Sequence, residues 1–152
     1  MRILVTGGSG YIGSHTLFPL IREGYEVVVY DNLTNSSFEV IVRVEELTGK
    51  PIRFIRGDIQ DAQRLSTLFS EEKIDAVMHF AAFKSVGKSV TNPLKYYQNN
   101  VHGSLCLLQA MLAAKVNNFI YSSSATVYGE SNPSPYVETM DLGVPSSPYG
   151  AS

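Results

Sequence analysis

A single cysteine, Cys106, is all the thiol chemistry that the 152-residue chain possesses. An internal disulfide is therefore excluded, and so is a cysteine-built zinc site, which suits a reducing compartment. Charge is scarce as well. Charged residues make up 17% of the chain, against about 25% in an average globular domain. The formal net charge is -2, and no block of basic residues occurs. No field of one sign is available to hold nucleic acid or an acidic membrane surface. No apolar run approaches the roughly 20 residues of a membrane span. The apolar stretch at the amino terminus breaks into glycines after Thr6, too early for a signal peptide. These absences lead us to expect a cytoplasmic protein with neither a nucleic-acid nor a membrane partner.

What is present is apolar material, 44% of the residues, enough for one core at this length. Ile3-Leu4-Val5 is an apolar run without polar alternation, as in a strand buried on both faces. Val27–Tyr30, Ile52–Ile55, Ala76–Phe80 and Phe119–Tyr121 read as four further strands. Helical spacings lie between them. Ile12, Leu17, Leu20 and Ile21 precede Gly24, and Phe38, Ile41, Val44 and Leu47 precede Gly49. Asp61 is placed to cap a helix that carries Leu65, Leu68 and Phe69. Asn92-Pro93 opens a long helix with Leu94, Tyr97, Val101, Leu105, Leu108 and Leu112 as its apolar positions. Beyond Gly129 the chain is rich in Pro, Ser and Gly and shows no period. This alternation predicts an α/β fold with a doubly wound parallel sheet, the Rossmann fold. Pro19 lies inside the first helix, where it removes the bond to the His15 carbonyl at a cost of about 3 kcal/mol. A kink or an early helix end is predicted there.

Between the first strand and first helix, Thr6 to Gly13 contains G-x-x-G-x-x-G. Gly7 suits the tight turn, Gly10 leaves room for a pyrophosphate against the backbone, and Gly13 allows close packing of the helix. The helix start then offers free N–H groups and a positive partial charge to phosphate. Asp31 ends the second strand, 18 residues after Gly13, close to the spacing of about 20 for an acid that holds the adenosine ribose hydroxyls. A carboxylate there repels a 2′-phosphate and favours NAD over NADP. Asp31 could instead cap the turn before Asn32, and Asp58 could either contact adenine or make a turn. His15, His79 and His102 sit on different elements and are read as structural, Cys106 as core, and Glu45-Glu46 and Glu71-Glu72 as solvated helix charges.

Ser122-Ser123-Ser124 follows the fifth strand and Tyr149 lies 25 residues after Ser124. The segments TGGSGYIGSH, YDNLTNS, HFAA, NNVHGS, SSSATVYG and SPYGAS run through the whole chain in order. Together they resemble the extended short-chain dehydrogenase/reductases, and within that family its sugar-nucleotide 4-epimerases. The resemblance implies an isomerase of galactose metabolism. Such an enzyme interconverts UDP-glucose and UDP-galactose through a transient 4-keto sugar on bound NAD. It places Ser124 and Tyr149 at the sugar 4-hydroxyl, with Tyr149 as base and Ser124 assisting, and Thr126 near the sugar. It implies cofactor contacts from Tyr11 and Ile12 in the glycine turn, and from Asn32, Asn35 and Ser36 after the second strand. Asp58 and Ile59, Phe80, Ala81 and Ala82, Lys84, Asn99 and Ser122 complete that set with Tyr149. Ala82-Phe83 stands where these epimerases commonly show Gly-Leu, and Lys88 where an acid is usual.

The family's lysine four residues beyond the tyrosine, which lowers the tyrosine pKa from near 10, would fall at position 153. Residues 1–152 are therefore expected to be a truncated NAD-binding domain without its UDP-hexose domain. It would bind NAD without turning over sugar, and it would belong to a homodimer when complete. An unfinished sheet is expected to expose apolar surface and an unpaired edge. Two other readings stay open. A 4,6-dehydratase would place an acid–base pair after the catalytic hydroxyl residue, where this chain has Ala125-Thr126-Val127. The third reading is a non-catalytic NAD-binding module. No metal site is expected.

Overall fold

The computed structural model describes all residues, Met1–Ser152. The five strands β1 (Arg2–Thr6), β2 (Glu26–Asp31), β3 (Arg53–Arg56), β4 (Ala76–His79) and β5 (Asn118–Tyr121) form one parallel sheet of order β3-β2-β1-β4-β5. Every pairing is parallel, with Leu4 opposite Val28 on one side and Val77 on the other. The order reverses direction at β1, so the crevice outside the carboxyl ends of β1 and β4 is where such a sheet opens to a ligand.

Alternation along the strands divides the core in two. Ile3, Val5, Val27 and Val29 face α1 (Tyr11–Arg22) and α2 (Glu39–Thr48), where Leu17, Ile21, Ile41 and Val44 are buried. Leu4, Val28, Tyr30 and Val77 face the other way, toward Leu65, Leu68 and Phe69 of α3 (Ala62–Glu72) and Leu107 and Met111 further along the chain. Asp61 caps α3 as expected, accepting from the Arg64 amide at 2.9 Å. Gly49 closes α2 in the left-handed conformation, φ 65°. α1 does not end at Pro19 but continues to Arg22. Phe38 and Leu47 are exposed rather than buried, so the apolar face of α2 narrows to Ile41 and Val44.

Larger differences lie in the second half. A short helix absent from the sequence reading, α4 (Val86–Thr91), precedes the long one. The long helix is three consecutive segments: α5 (Pro93–Tyr96), a π-helical turn (Tyr97–His102) and α6 (Gly103–Ala113). Its buried positions are Tyr96, Asn99, Asn100, Gly103, Cys106, Leu107, Ala110 and Met111. Five of the six positions read as apolar, Leu94, Tyr97, Val101, Leu105 and Leu112, face solvent, and Leu108 is half-buried against the core. β5 is an edge strand with Ile120 and Tyr121 exposed. A 3₁₀ turn (Ala125–Tyr128) and a short helix α7 (Pro148–Ala151) pack together near the carboxyl ends of the strands. No helix is long and apolar enough to cross a membrane.

Candidate functional site: a dinucleotide cleft

The glycine turn follows from local sterics. Gly7 has φ +70°, and a Cβ there would sit 2.7 Å from the Ala81 amide nitrogen. Gly13 lies against the turn itself, where a Cβ would overlap the Gly7 carbonyl and approach the Gly8 Cα at 2.8 Å. The tightness is thus between the first turn of α1 and the loop before it. Gly10 is open by comparison, with only the Gly7 carbonyl near its missing side chain, at 3.2 Å. It caps α1 without a side-chain bond, leaving the first amides of the helix free to face an anion.

Asp31 is fixed rather than mobile. One carboxylate oxygen accepts from the Ser9 amide at 3.0 Å, the other from the Leu33 amide and the Ser36 hydroxyl, both at 2.9 Å. The turn-capping reading of Asp31 is therefore realised, yet the residue also lines the same cleft as Gly10. Asp58 makes its own turn. It accepts from the Gln60 amide and from the Asn32 side chain, each at 2.9 Å, and lies behind the cleft wall that Gly57 and Ile59 provide.

The cleft has a volume of about 260 Å³ and lies at the carboxyl ends of β1, β2, β4 and β5. It gathers most of the residues read from the sequence. Gly7, Gly10, Tyr11, Ile12 and Gly13 form one wall with Asp31, Asn32, Asn35 and Ile59. Phe80, Ala81, Ala82, Lys84, Asn99, Ser122 and Tyr149 form the other. Ser36 stands behind Asp31 and does not line it. Ser124 and Thr126 lie outside the lining and bond to each other, Thr126 Oγ1 donating to Ser124 Oγ at 3.0 Å. The 3₁₀ turn that carries Thr126 packs against α7, the helix of Tyr149. Among groups that could bind metal, no cluster of three or more side chains occurs.

The sequence reading missed several members. His79, at the end of β4, is buried between two hydroxyls, with Nδ1 2.5 Å from Thr6 Oγ1 and Nε2 2.9 Å from Ser104 Oγ. Ser104 gives its own proton to the Asn100 carbonyl. Its oxygen must then accept from His79 Nε2–H, which leaves Nδ1 to accept from Thr6. Burial pushes the imidazole pKa down from 6.5 to about 4, so the ring stays neutral. Tyr30 is buried below the cleft and donates to the Asp58 carbonyl at 2.9 Å. Desolvation, with the nearby Asp61 and Asp58 carboxylates, raises its pKa to about 12. Phe83 and Tyr96 pack with their rings tilted at 56°, 5.8 Å apart, and Tyr96 meets the Tyr149 ring edge-on at 6.5 Å. Two surface readings are corrected: Glu72 is buried and paired with Arg53 at 2.9 Å, and Glu45 accepts from the Ile52 amide at 2.6 Å. Cys106 is core, as expected.

A parallel sheet of this order, with a glycine turn after β1 and a held carboxylate after β2, defines the class of dinucleotide-binding α/β domains. The chain belongs to the GDP-mannose 4,6 dehydratase family, whose pattern it matches over residues 4–152. More particularly, it is 57% identical over all 152 residues to a UDP-glucose 4-epimerase of Erwinia amylovora and 55% identical to one of Yersinia pestis. In each case it covers 45% of that protein. Among solved structures, the UDP-glucose 4-epimerase of Bifidobacterium longum in complex with NAD+ and UDP superposes with a TM-score of 0.96 at 44% identity. That of Stenotrophomonas maltophila, with bound NAD and a formylated UDP-arabinopyranose, gives 0.94 at 46%. Each match covers 99% of this chain and 45% of the other. The chain thus spans a little under half the length of these relatives. The resemblance to 4-epimerases seen in the motifs is borne out.

Proposed function

We propose that residues 1–152 form the NAD-binding domain of a UDP-glucose 4-epimerase, with the UDP-hexose-binding region outside them. One observation carries the reading. Gly10 and the held carboxylate of Asp31 line one cleft together at the switch point of the sheet. The residues fit the cofactor. The open surface over Gly10 and the free amides of α1 suit a diphosphate, and Asp31 suits the two hydroxyls of an unphosphorylated ribose. Asn32, Asn35, Asp58 and Ile59 belong to the adenosine side, and Lys84, Asn99 and Ser122 to the nicotinamide side.

When bound, the nicotinamide supplies a reversible two-electron acceptor for C4 of the sugar. The chain's own residues handle the proton and the orientation. Tyr149 takes the proton from the 4-hydroxyl as that carbon is oxidised, and returns it after the 4-keto sugar has turned over in the site. Ser124 and Thr126, already bonded to each other, hold the sugar's side of that transfer. A free phenol titrates near 10, so general-base work near neutrality requires a neighbouring cation, which we place outside these residues. Ser124 is followed by Ala125-Thr126-Val127, with no carboxylic acid for the loss of water, which favours epimerisation over the dehydration in the family's description. The exposed apolar row Leu94, Tyr97, Val101 and Leu105 suits the interface of a homodimer in the complete enzyme.

Calorimetric titration of the 152-residue chain with NAD and with NADP tests the proposal. Saturable binding of NAD, at least tenfold tighter than NADP (about 1.4 kcal/mol), is expected. Absence of NAD binding, or equal affinity for the two, overturns it.

A further inference from the structure

Phe83 stands where the 4-epimerases that this chain resembles commonly show leucine, and the structure surrounds its ring with partners. It lies between β4 and α4, half-buried, on the wall of the cleft. Lys95 and Tyr96 are consecutive on α5, about 100° apart around that helix, and the Phe83 ring packs against both. The exposed Lys95 ammonium lies over the ring, 4.6 Å from its centre, where the negative face of an aromatic ring attracts a cation. On the inner side, the buried Tyr96 joins Phe83 to Tyr149, which it meets edge-on. Edge-on contact at this range is favoured by ring quadrupoles. Four side chains thus stand in series from solvent to the candidate base: Lys95, Phe83, Tyr96 and Tyr149.

The backbone of Tyr149 is fixed by other means. Buried Ser147 caps α7, its hydroxyl accepting from the Gly150 amide at 3.1 Å. At Gly150 a Cβ would meet Pro145 Cβ at 3.1 Å and Thr126 Cβ at 3.3 Å, so α7 is seated closely against the 3₁₀ turn. This sets where the residue begins and leaves its side-chain torsions to decide where the phenol oxygen ends. A proton-transfer group must stand within hydrogen-bond reach of its partner, so those torsions matter to the chemistry. We propose that Phe83 and Lys95 are positioning residues for Tyr149. The ammonium holds the Phe83 ring in place against Tyr96, and the space so filled beside Tyr96 confines the Tyr149 ring to one orientation. Both act through Tyr96. This inference rests on the reading of Tyr149 as the proton-transfer residue of a NAD-dependent site.

Aromatic NMR of the 152-residue chain tests it, with the Tyr149 ring signal assigned by its loss in Tyr149→Phe. Packed against Tyr96, the ring protons should resonate away from the position of free tyrosine. In Phe83→Leu, which keeps apolar bulk but removes the ring, most of that displacement should be lost, and Phe83→Tyr should recover it. Lys95→Met, at an exposed site, should give a smaller loss in the same direction. Lys95→Arg, whose guanidinium also settles over aromatic faces, should give none. Phe18→Leu removes the comparable contact of Arg22 over Phe18 on α1, at 5.6 Å, and should leave the Tyr149 signal unmoved. A signal indifferent to Phe83→Leu or to Lys95→Met, or displaced as much by Phe18→Leu, overturns the proposal. Should Phe83→Leu not fold, the two Lys95 variants decide alone. The signal is read without cofactor, so failure of the unaltered chain to bind NAD would refute the cofactor reading and not the stack.

Discussion

His79 makes the stability of this domain depend on pH in a defined window. Its folded pKa, about 4, lies below the ordinary 6.5 because the ring is buried with neutral partners only. On acidification the unfolded chain takes up the proton first. The full contribution is therefore present above pH 6.5 and drains away as pH falls toward 4. At 1.36 kcal/mol per pH unit, about 2 kcal/mol is lost by pH 5 and about 3 kcal/mol by pH 4. That is a large share of the roughly 5–15 kcal/mol that holds a typical domain together. Carboxylates titrate in the same range, so the comparison must cancel them. His79→Gln keeps a donor near the Nε2 position but cannot ionise there. Urea denaturation of both proteins at pH 7.5, 6.5, 5.5 and 4.5 gives the difference in unfolding free energy at each pH. The unaltered protein should lead at pH 7.5, and its lead should shrink steadily below pH 6.5. A difference that stays constant to pH 4.5 would show that the imidazole either charges freely or is not buried, and the hydrogen-bond directions assigned around it would fall with it.

Asp31→Asn removes the charge that meets the ribose while keeping a similar shape; NAD affinity should drop about tenfold and the preference over NADP should narrow, both read by calorimetry. Gly13→Ala forces a methyl into the Gly7 carbonyl; a loss of about 1–3 kcal/mol is expected in thermal or urea unfolding, along with loss of NAD binding. Tyr30→Phe removes the bond to the Asp58 carbonyl and should cost about 1 kcal/mol at pH 7. Because the phenol's folded pKa is raised to about 12, the unaltered protein should lose stability as pH climbs from 10 to 12, and the variant should lose less over that interval.

The first half of the molecule was legible because its signals are local. A strand, a glycine turn, a helix and an acid after the next strand are each dictated by sterics or charge at single positions. The long helix was misread for an equally physical reason. Periodicity counts large apolar residues as buried, and here these face outward while Asn99, Asn100, Gly103 and Ala110 fill the inner side. Small residues carry no hydropathy signal, and paired polar ones carry the wrong sign. A π-helical turn also shifts the register on which the count depends. α4 was missed because Val86 and Val90 are exposed and only Ser89 is buried. In the site, the glycines and Asp31 were readable from type and spacing, and Tyr149 only through the resemblance of its motif. His79, Ser104 and Asn100 were not, since their importance lies in bonds between residues far apart in the chain.

The splitting of the apolar interior by the sheet has a further result for anyone altering this protein. Leu4 and Val5 are joined by one peptide bond yet sit in separate compartments, Leu4 with Leu107 and Met111, Val5 with Leu17 and Ile41. Chain neighbours here are energetic strangers, and their nearest associates are dozens of positions away. Truncations at Leu4 and Leu107 should compound one another, whereas truncations at Leu107 and Leu17 should simply add.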